Sequence, residues 1–173
     1  MFIEYIEYYK TKIYFEQNTI RIQNLDLSGY NHVTQVRVRT FEVDAQGIVH
    51  NINFLKYFEV GRIEYRRNLG YNILPDGIFN DGLKVVVVHN EIDYKSFAYL
   101  DELLDIYTKI SWIKNSSFCF EQVILSSLNR NLICSGKGVL VNINSAGKPE
   151  KLGDKFVKEI KDFEKNLILI KEK

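Results

Sequence analysis

The stretch whose reading decides the fold is "TFEVDAQGIVHNINFLKYFEVGRIEYRRNLG", Thr40–Gly70. It continues an alternating run in which Val36 and Val38 are interleaved with Arg37 and Arg39, the period-two pattern of a half-buried strand. "DAQG", Asp44–Gly47, then marks a tight turn. From Ile52 to Leu69 the period becomes helical. Leu55, Phe58, Arg62, Tyr65 and Leu69 fall on one stripe, Phe54 and Gly61 widen it, and Gly70 ends it. A carboxylate, a flexible turn and an imidazole (His50) are thus crowded just before a helix starts.

Outward from this stretch, strands accumulate toward the C-terminus. "LKVVVVHNEIDY" holds the β-branched run Val85–Val88, whose continuity predicts burial on both faces. "DELLDIYTKISWI", "SFCFEQVILSSL" and "LICSGKGVLVNIN" follow, joined by short polar turns at Asn115–Ser116 and Asn129–Asn131. Strands joined so closely must be largely antiparallel. The tail "DKFVKEIKDFEKNLILI" predicts an amphipathic helix with Phe156, Ile160, Phe163 and Leu167 on one stripe. Toward the N-terminus, "KTKIYFEQNTIRIQNLD" fits one or two short strands before the turn signal "LDLSGYN". Residues 1–32 are therefore expected to form an extension, and 33–173 a single domain. The order is strand, long helix, four strands, terminal helix. The helix can bury its stripe only on the concave face of the sheet. The fold class is α+β: an antiparallel sheet wrapped around one long central helix, a hotdog-like arrangement, with a C-terminal helix.

The bulk numbers narrow the function classes. The chain has 173 residues and a formal net charge of +1, with its basic residues scattered, so nucleic acid has no electrostatic case as a partner. No apolar run reaches the roughly 20 residues of a membrane span, and the start "MFIEYIEYYK" lacks the basic opening of a signal peptide. Cys119 and Cys134 have neither metal spacing nor a disulfide framework, which points to buried reduced thiols and a cytoplasmic location. No two histidines have metal-ligand spacing, and no cofactor is expected.

Each candidate site residue has a plain structural reading beside its chemical one. Asp44 is a turn former, or a carboxylate serving as nucleophile or as base for a water. Gly47 serves the turn, or lets backbone approach a ligand closely. Asn51 is a helix cap, or the residue whose unpaired backbone N–H supplies half of an oxyanion hole. His50 is structural, or orients substrate or Asp44. Glu59 is half of a surface pair with Arg62, or a reactive carboxylate on a covered helix. Lys114 and Ser116 belong to a polar hairpin that is either solvated or in contact with phosphate.

At these residues the chain resembles the 4-hydroxybenzoyl-CoA thioesterase-like hotdog proteins. Their opening motif runs roughly V-R-x-x-E-x-D-x-x-G-x-V-x-H-x-N-Y-x-x-x-F-E-x-A-R. Val38, Arg39, Glu42, Asp44, Gly47, Val49, Asn53, Phe58, Glu59 and Arg62 match it, while Phe54 replaces Tyr and Gly61 replaces Ala. "KSFAYLDELLDI", "SSFCFEQVI" and "GKPEKL" extend the resemblance over about Val33 to Gly153. It implies hydrolysis of an acyl-CoA thioester by Asp44, with the Asn51 amide polarising the carbonyl and Gly47 and Phe54 against the substrate. It implies self-association as a dimer or tetramer, active sites between subunits, and CoA phosphates near the surface at Lys114 and Ser116. Many members carry His where this chain has Asn51, so only His50 remains here. Some hotdog thioesterases use a helix glutamate instead, and Glu59 stands at that position. A dehydratase would need a histidine loop that is absent, with Asp44 in its place. The same residues leave open an acyl-ACP thioesterase and a non-catalytic acyl-binding protein.

Overall fold

The computed structural model describes residues 25–170. The segment expected to hold one or two N-terminal strands lies almost wholly outside them. Strand β1 (His32–Arg37) is followed by a 3-10 turn over Thr40–Glu42 and by helix α1 (Asn53–Asn68). Then come β2 (Val85–Tyr94), β3 (Leu103–Ile113), β4 (Ser117–Ser126), β5 (Leu132–Asn142), helix α2 (Asp154–Phe163) and the short β6 (Ile168–Leu169). The sheet order is β1-β3-β4-β5-β2, with β6 alongside β3. The main pairings are antiparallel: Arg37 lies opposite Leu103, Lys109 opposite Glu121, Glu121 opposite Lys137, and Glu91 opposite Lys137. β2 ends up at the edge of the sheet although it precedes the three strands to which the sheet owes its centre.

Helix α1 lies on one face of this sheet, as its apolar stripe requires. Its buried residues are Asn53, Phe54, Tyr57, Phe58, Gly61, Tyr65 and Arg66. The core stripe is therefore rotated from the predicted one: Leu55, Arg62 and Leu69 are only half-buried. The reason is steric. Gly61 is where the helix touches the sheet most closely, and a Cβ there would stand 2.6 Å from Gln122 Nε2 and 2.7 Å from Thr108 Oγ1. That contact fixes which face turns down, and Phe54, Phe58 and Tyr65 share it at helical spacing. Around the N-terminal half of α1 the core is built from Phe54, Tyr57, Phe58, Leu104, Ile106 and Ile124. Around the C-terminal half it uses Tyr65, Phe79, Ile110, Phe118, Phe120 and Ile160.

Two further expectations are corrected. The valine run is not buried on both faces: Val86, Val87 and Val88 are exposed, Val88 at 58%. Here continuity of β-branched residues marks a strand at the sheet edge, left uncovered by the described residues. The C-terminal helix stops at Phe163, so Leu167 is not on its stripe. The backbone turns extended at Glu164, whose buried Oε1 accepts from Tyr65 OH at 2.6 Å and from Ile110 N–H at 2.9 Å. Both cysteines are free and buried. Among the described residues no helix is long and apolar enough to cross a membrane.

Candidate functional site

The site forms where the loop between β1 and α1 meets the start of the helix. Glu42 organises it. Its side chain is 2% exposed. Its Oε2 accepts the Arg39 backbone N–H at 2.7 Å and Tyr57 OH at 2.9 Å, and its Oε1 accepts Arg39 Nη2 at 2.8 Å. Its backbone carbonyl accepts Asn53 Nδ2 at 2.8 Å and His50 N–H at 2.9 Å. Burial alone would raise the Glu42 carboxyl, but the bonds from Arg39 and Tyr57 outweigh it and hold it below the ordinary carboxylate range. The residue therefore stays ionised and ties the loop to the first turns of α1. Sequence reasoning matches Glu42 to the motif but gives it no role. The Arg39-x-x-Glu42 spacing, three residues apart across a turn, is the signal that points to it.

Beyond Glu42 the chain makes a narrow hairpin. Val43 bridges Val49, Asp44 N–H donates to Ile48 carbonyl at 2.9 Å, and Gly47 N–H donates back to Asp44 carbonyl at 3.0 Å. Gly47 has a φ of 75°, a left-handed conformation that suits glycine. The half-buried Asp44 realises its turn-forming reading, since Oδ1 accepts Gln46 N–H at 2.8 Å. Its Oδ2 accepts no hydrogen bond from a described residue, so the structural and chemical readings coexist on one carboxylate. The hairpin is anchored to the approach to β3 by Val49 N–H, which donates to Ala98 carbonyl at 2.8 Å.

No side chain caps the helix, whose N-cap is Ile52; the turn leading into it is braced by His50. Its Nδ1 accepts Ile52 N–H at 3.3 Å and its carbonyl accepts Asn53 N–H at 2.9 Å. The ring therefore offers Nδ1 as acceptor, on a residue that is exposed. The Asn51 side chain makes no cap, which corrects the structural reading of that residue. Its carbonyl accepts Phe54 N–H at 3.3 Å and Tyr94 OH at 3.2 Å. Its own N–H donates to no described residue. An unpaired, exposed amide at a helix start is the kind of group that can receive a developing oxyanion. Tyr94, at the end of β2, packs its ring on Phe54 at 5.7 Å while holding this turn. Sequence reasoning misses it, because the contact joins residues far apart in the chain.

The structure brings Asp44, Gly47, His50, Asn51 and Phe54 together. Phe54 is buried in the core beneath the helix start rather than open to solvent. Glu59 is exposed, two turns along α1, beside a cavity of about 300 Å³ that also touches Arg62, Ile73, Phe79, Val85 and Leu140. Lys114 and Ser116 lie in the β3–β4 hairpin, where Lys114 Nζ sits 5.3 Å from the Trp112 ring centroid. That hairpin is at the opposite end of β3 from the Asp44 loop, and eleven strand residues span roughly 33 Å. Among the described residues no group of three or more His, Cys, Asp or Glu is placed to hold a metal ion.

A model of the thioesterase-like superfamily matches residues 38–165. The chain belongs to this superfamily. Acyl-CoA thioesterase YbgC of Haemophilus influenzae is 33% identical over 126 residues, which is 73% of this chain and 88% of that protein. A probable thioesterase from Bartonella henselae, known from its crystal structure, is 34% identical, with 70% of this chain and 97% of that one covered and a TM-score of 0.60. A thioesterase from Thermus thermophilus, crystallised with coenzyme A and Zn, is 28% identical, with 78% and 95% covered and a TM-score of 0.67. The superfamily match begins at Val38 and so includes the whole loop that carries Asp44 and Asn51.

Proposed function

We propose that the protein hydrolyses acyl-CoA thioesters to free acid and CoA. The class of reaction, thioester hydrolysis, follows from family membership. CoA as carrier is supported by the names of the relatives, one of which was crystallised with coenzyme A. The observation that carries the residue assignment is the unpaired Asn51 N–H at the start of α1, on the same clamped loop as a half-free Asp44 carboxylate. The thioester carbonyl oxygen accepts the Asn51 N–H, and the partial positive charge at the helix start reinforces it. Asp44 then acts in one of two ways. It attacks the carbonyl carbon, expelling CoA thiolate and leaving a mixed anhydride that water cleaves; or it takes a proton from a water that attacks instead. His50, exposed beside the helix start, orients the substrate. Glu59 is the second candidate carboxylate.

The site as proposed is shared between copies of the chain. A ten-residue edge strand with exposed valines leaves a row of unpaired backbone groups, which proteins cover. A second copy paired along β2 would cover it and bring another subunit beside α1. Lys114 and Ser116 serve the CoA phosphates only if they reach the site across such a contact. The test is thiol release over a panel of acyl-CoA and acyl-ACP substrates. Turnover of the CoA esters supports the reading; turnover of ACP esters alone transfers it to the other carrier; release from neither overturns it.

A further inference from the structure

The cavity beside α1 is lined by a cation, Arg62, most of whose donors stay unused among the described residues. Arg62 is half-buried, and its guanidinium makes one long hydrogen bond, from Nη1 to Gln122 Oε1 at 3.4 Å. No ion pair to Arg62 is formed among the described residues. Its neighbour on the cavity wall, Arg66, is fully engaged: it pairs with the buried Asp81 and lies over the Phe79 ring at 3.9 Å. Glu59, one turn before Arg62, is exposed at the mouth. Room for the Arg62 head is provided by Gly138, where a Cβ would stand 3.3 Å from Nη1 and 3.2 Å from Asn90 Oδ1. Drawing a guanidinium from water with one long hydrogen bond is costly: burial lowers the proton affinity of Arg62, and the charge of Glu59 offsets this only in part. The remaining donors of the planar fork suit a carboxylate or another oxygen acceptor. The rest of the wall is mostly apolar, with Ile63, Ile73, Phe79, Val85 and Leu140, and Lys84 adds a further cation at its rim.

Position relates this cavity to the reaction. Ile52, Leu55, Glu59, Arg62 and Arg66 follow one another at spacings of three and four, so they form one stripe of α1 from the Asn51 amide to the cavity. Long side chains on a helix lean toward its N-terminus, which carries the Arg62 head back toward the level of Glu59. Eight residues of helix, from Asn51 to Glu59, rise about 12 Å. An acyl chain with its carbonyl at Asn51 and laid along this stripe brings its far end to Arg62.

We infer that Arg62 is a specificity residue that selects acyl groups of medium length bearing an oxygen acceptor, carboxylate or hydroxyl, at the end away from the thioester. This rests on the acyl-CoA reading above. The experiment compares kcat/KM for decanoyl-CoA, ω-hydroxydecanoyl-CoA and ω-carboxydecanoyl-CoA in the native protein, in Arg62→Met and in Arg62→Lys. The native protein prefers an ω-oxygenated ester over decanoyl-CoA by roughly 10- to 100-fold. Preference for the carboxylate alone identifies an anion site, and equal preference for the hydroxyl identifies a neutral acceptor site. Arg62→Met abolishes the ratio, and Arg62→Lys restores part of it for the carboxylate. Because a ratio is read, a partial loss of folded protein does not imitate the effect. Equal turnover of the three esters by the native protein, or a ratio that survives in Arg62→Met, overturns the inference and leaves the hydrolase reading standing. Release from none of a wider acyl-CoA panel overturns both.

Discussion

At the scale of the residue, the division of labour on the loop is between a buried carboxylate that builds and a half-free one that is available. Glu42 is saturated with donors, whereas Asp44 keeps one oxygen open. Asp44, His50 and Asn51 are legible in the sequence because turn chemistry and the helix start bracket them within eight residues. The role of Glu42 is not, because it depends on Tyr57 and Asn53 from the next element. The oxyanion donor is a backbone group, so its test is a backbone substitution. Asn51→Ala keeps the N–H and costs less than roughly tenfold in kcat/KM. Asn51→Pro removes it and costs about 10²-fold or more in kcat, the loss that follows removal of one such donor. Thermal melts of both variants verify that the fold is retained.

Elements show where local pattern is enough and where it is not. The helical period locates α1 to within a residue at each end, but not which side faces the sheet. The sequence stripe holds Phe58 and Tyr65, with Phe54 and Gly61 at its margin; the glycine contact with Gln122 and Thr108 centres the buried face on these four and leaves Leu55, Arg62 and Leu69 half-buried. Gly61→Ala therefore makes a test. In an exposed helix the change is favourable by about 1 kcal/mol. Here overpacking against the sheet costs roughly 1 to 3 kcal/mol, and a lower midpoint of urea unfolding is expected. A second test lies at the end of α2. Burial holds the Glu164 carboxyl above the ordinary carboxylate range, against the hydrogen bonds from Tyr65 and Ile110 and the charge of Lys109. A group of this sign gives its full stabilisation below the unfolded pKa of roughly 4.3 and loses it as pH rises through the folded value. Glu164→Gln keeps the oxygen acceptor and loses the charge. The Tm difference between this variant and the native protein shifts in favour of Gln as pH rises from acid toward neutral. Glu164→Leu leaves two buried donors unpaired and costs roughly 1 to 3 kcal/mol for each.

For the whole molecule, the valine run is the instructive misreading. Val85–Val88 has the composition of a central strand, yet it lies at the sheet edge and Val86, Val87 and Val88 are exposed. On the proposed shared site, a second copy supplies the cover that the described residues lack. On the outer face, Lys109, Glu121, Lys137 and Glu91 alternate in charge across four strands, at 3.3, 3.8 and 4.0 Å. Exposed pairs of this kind contribute little each, but the row ends open on β2. Val88→Lys places a charge on that edge. If copies pair along β2 as proposed, it shifts the protein toward the monomer in light scattering and lowers thioester turnover in step. A monomeric native protein with full activity would contradict a shared site.

In the proposed mechanism the carboxylate of the loop, not that of the helix, drives thioester cleavage. The most direct measurement is kcat/KM for one good acyl-CoA substrate in Asp44→Asn and Glu59→Gln, side by side with the native protein. The account predicts a loss of about 10³-fold for Asp44→Asn and less than roughly tenfold for Glu59→Gln. Native-like turnover by Asp44→Asn, with the large loss falling on Glu59→Gln, would contradict it.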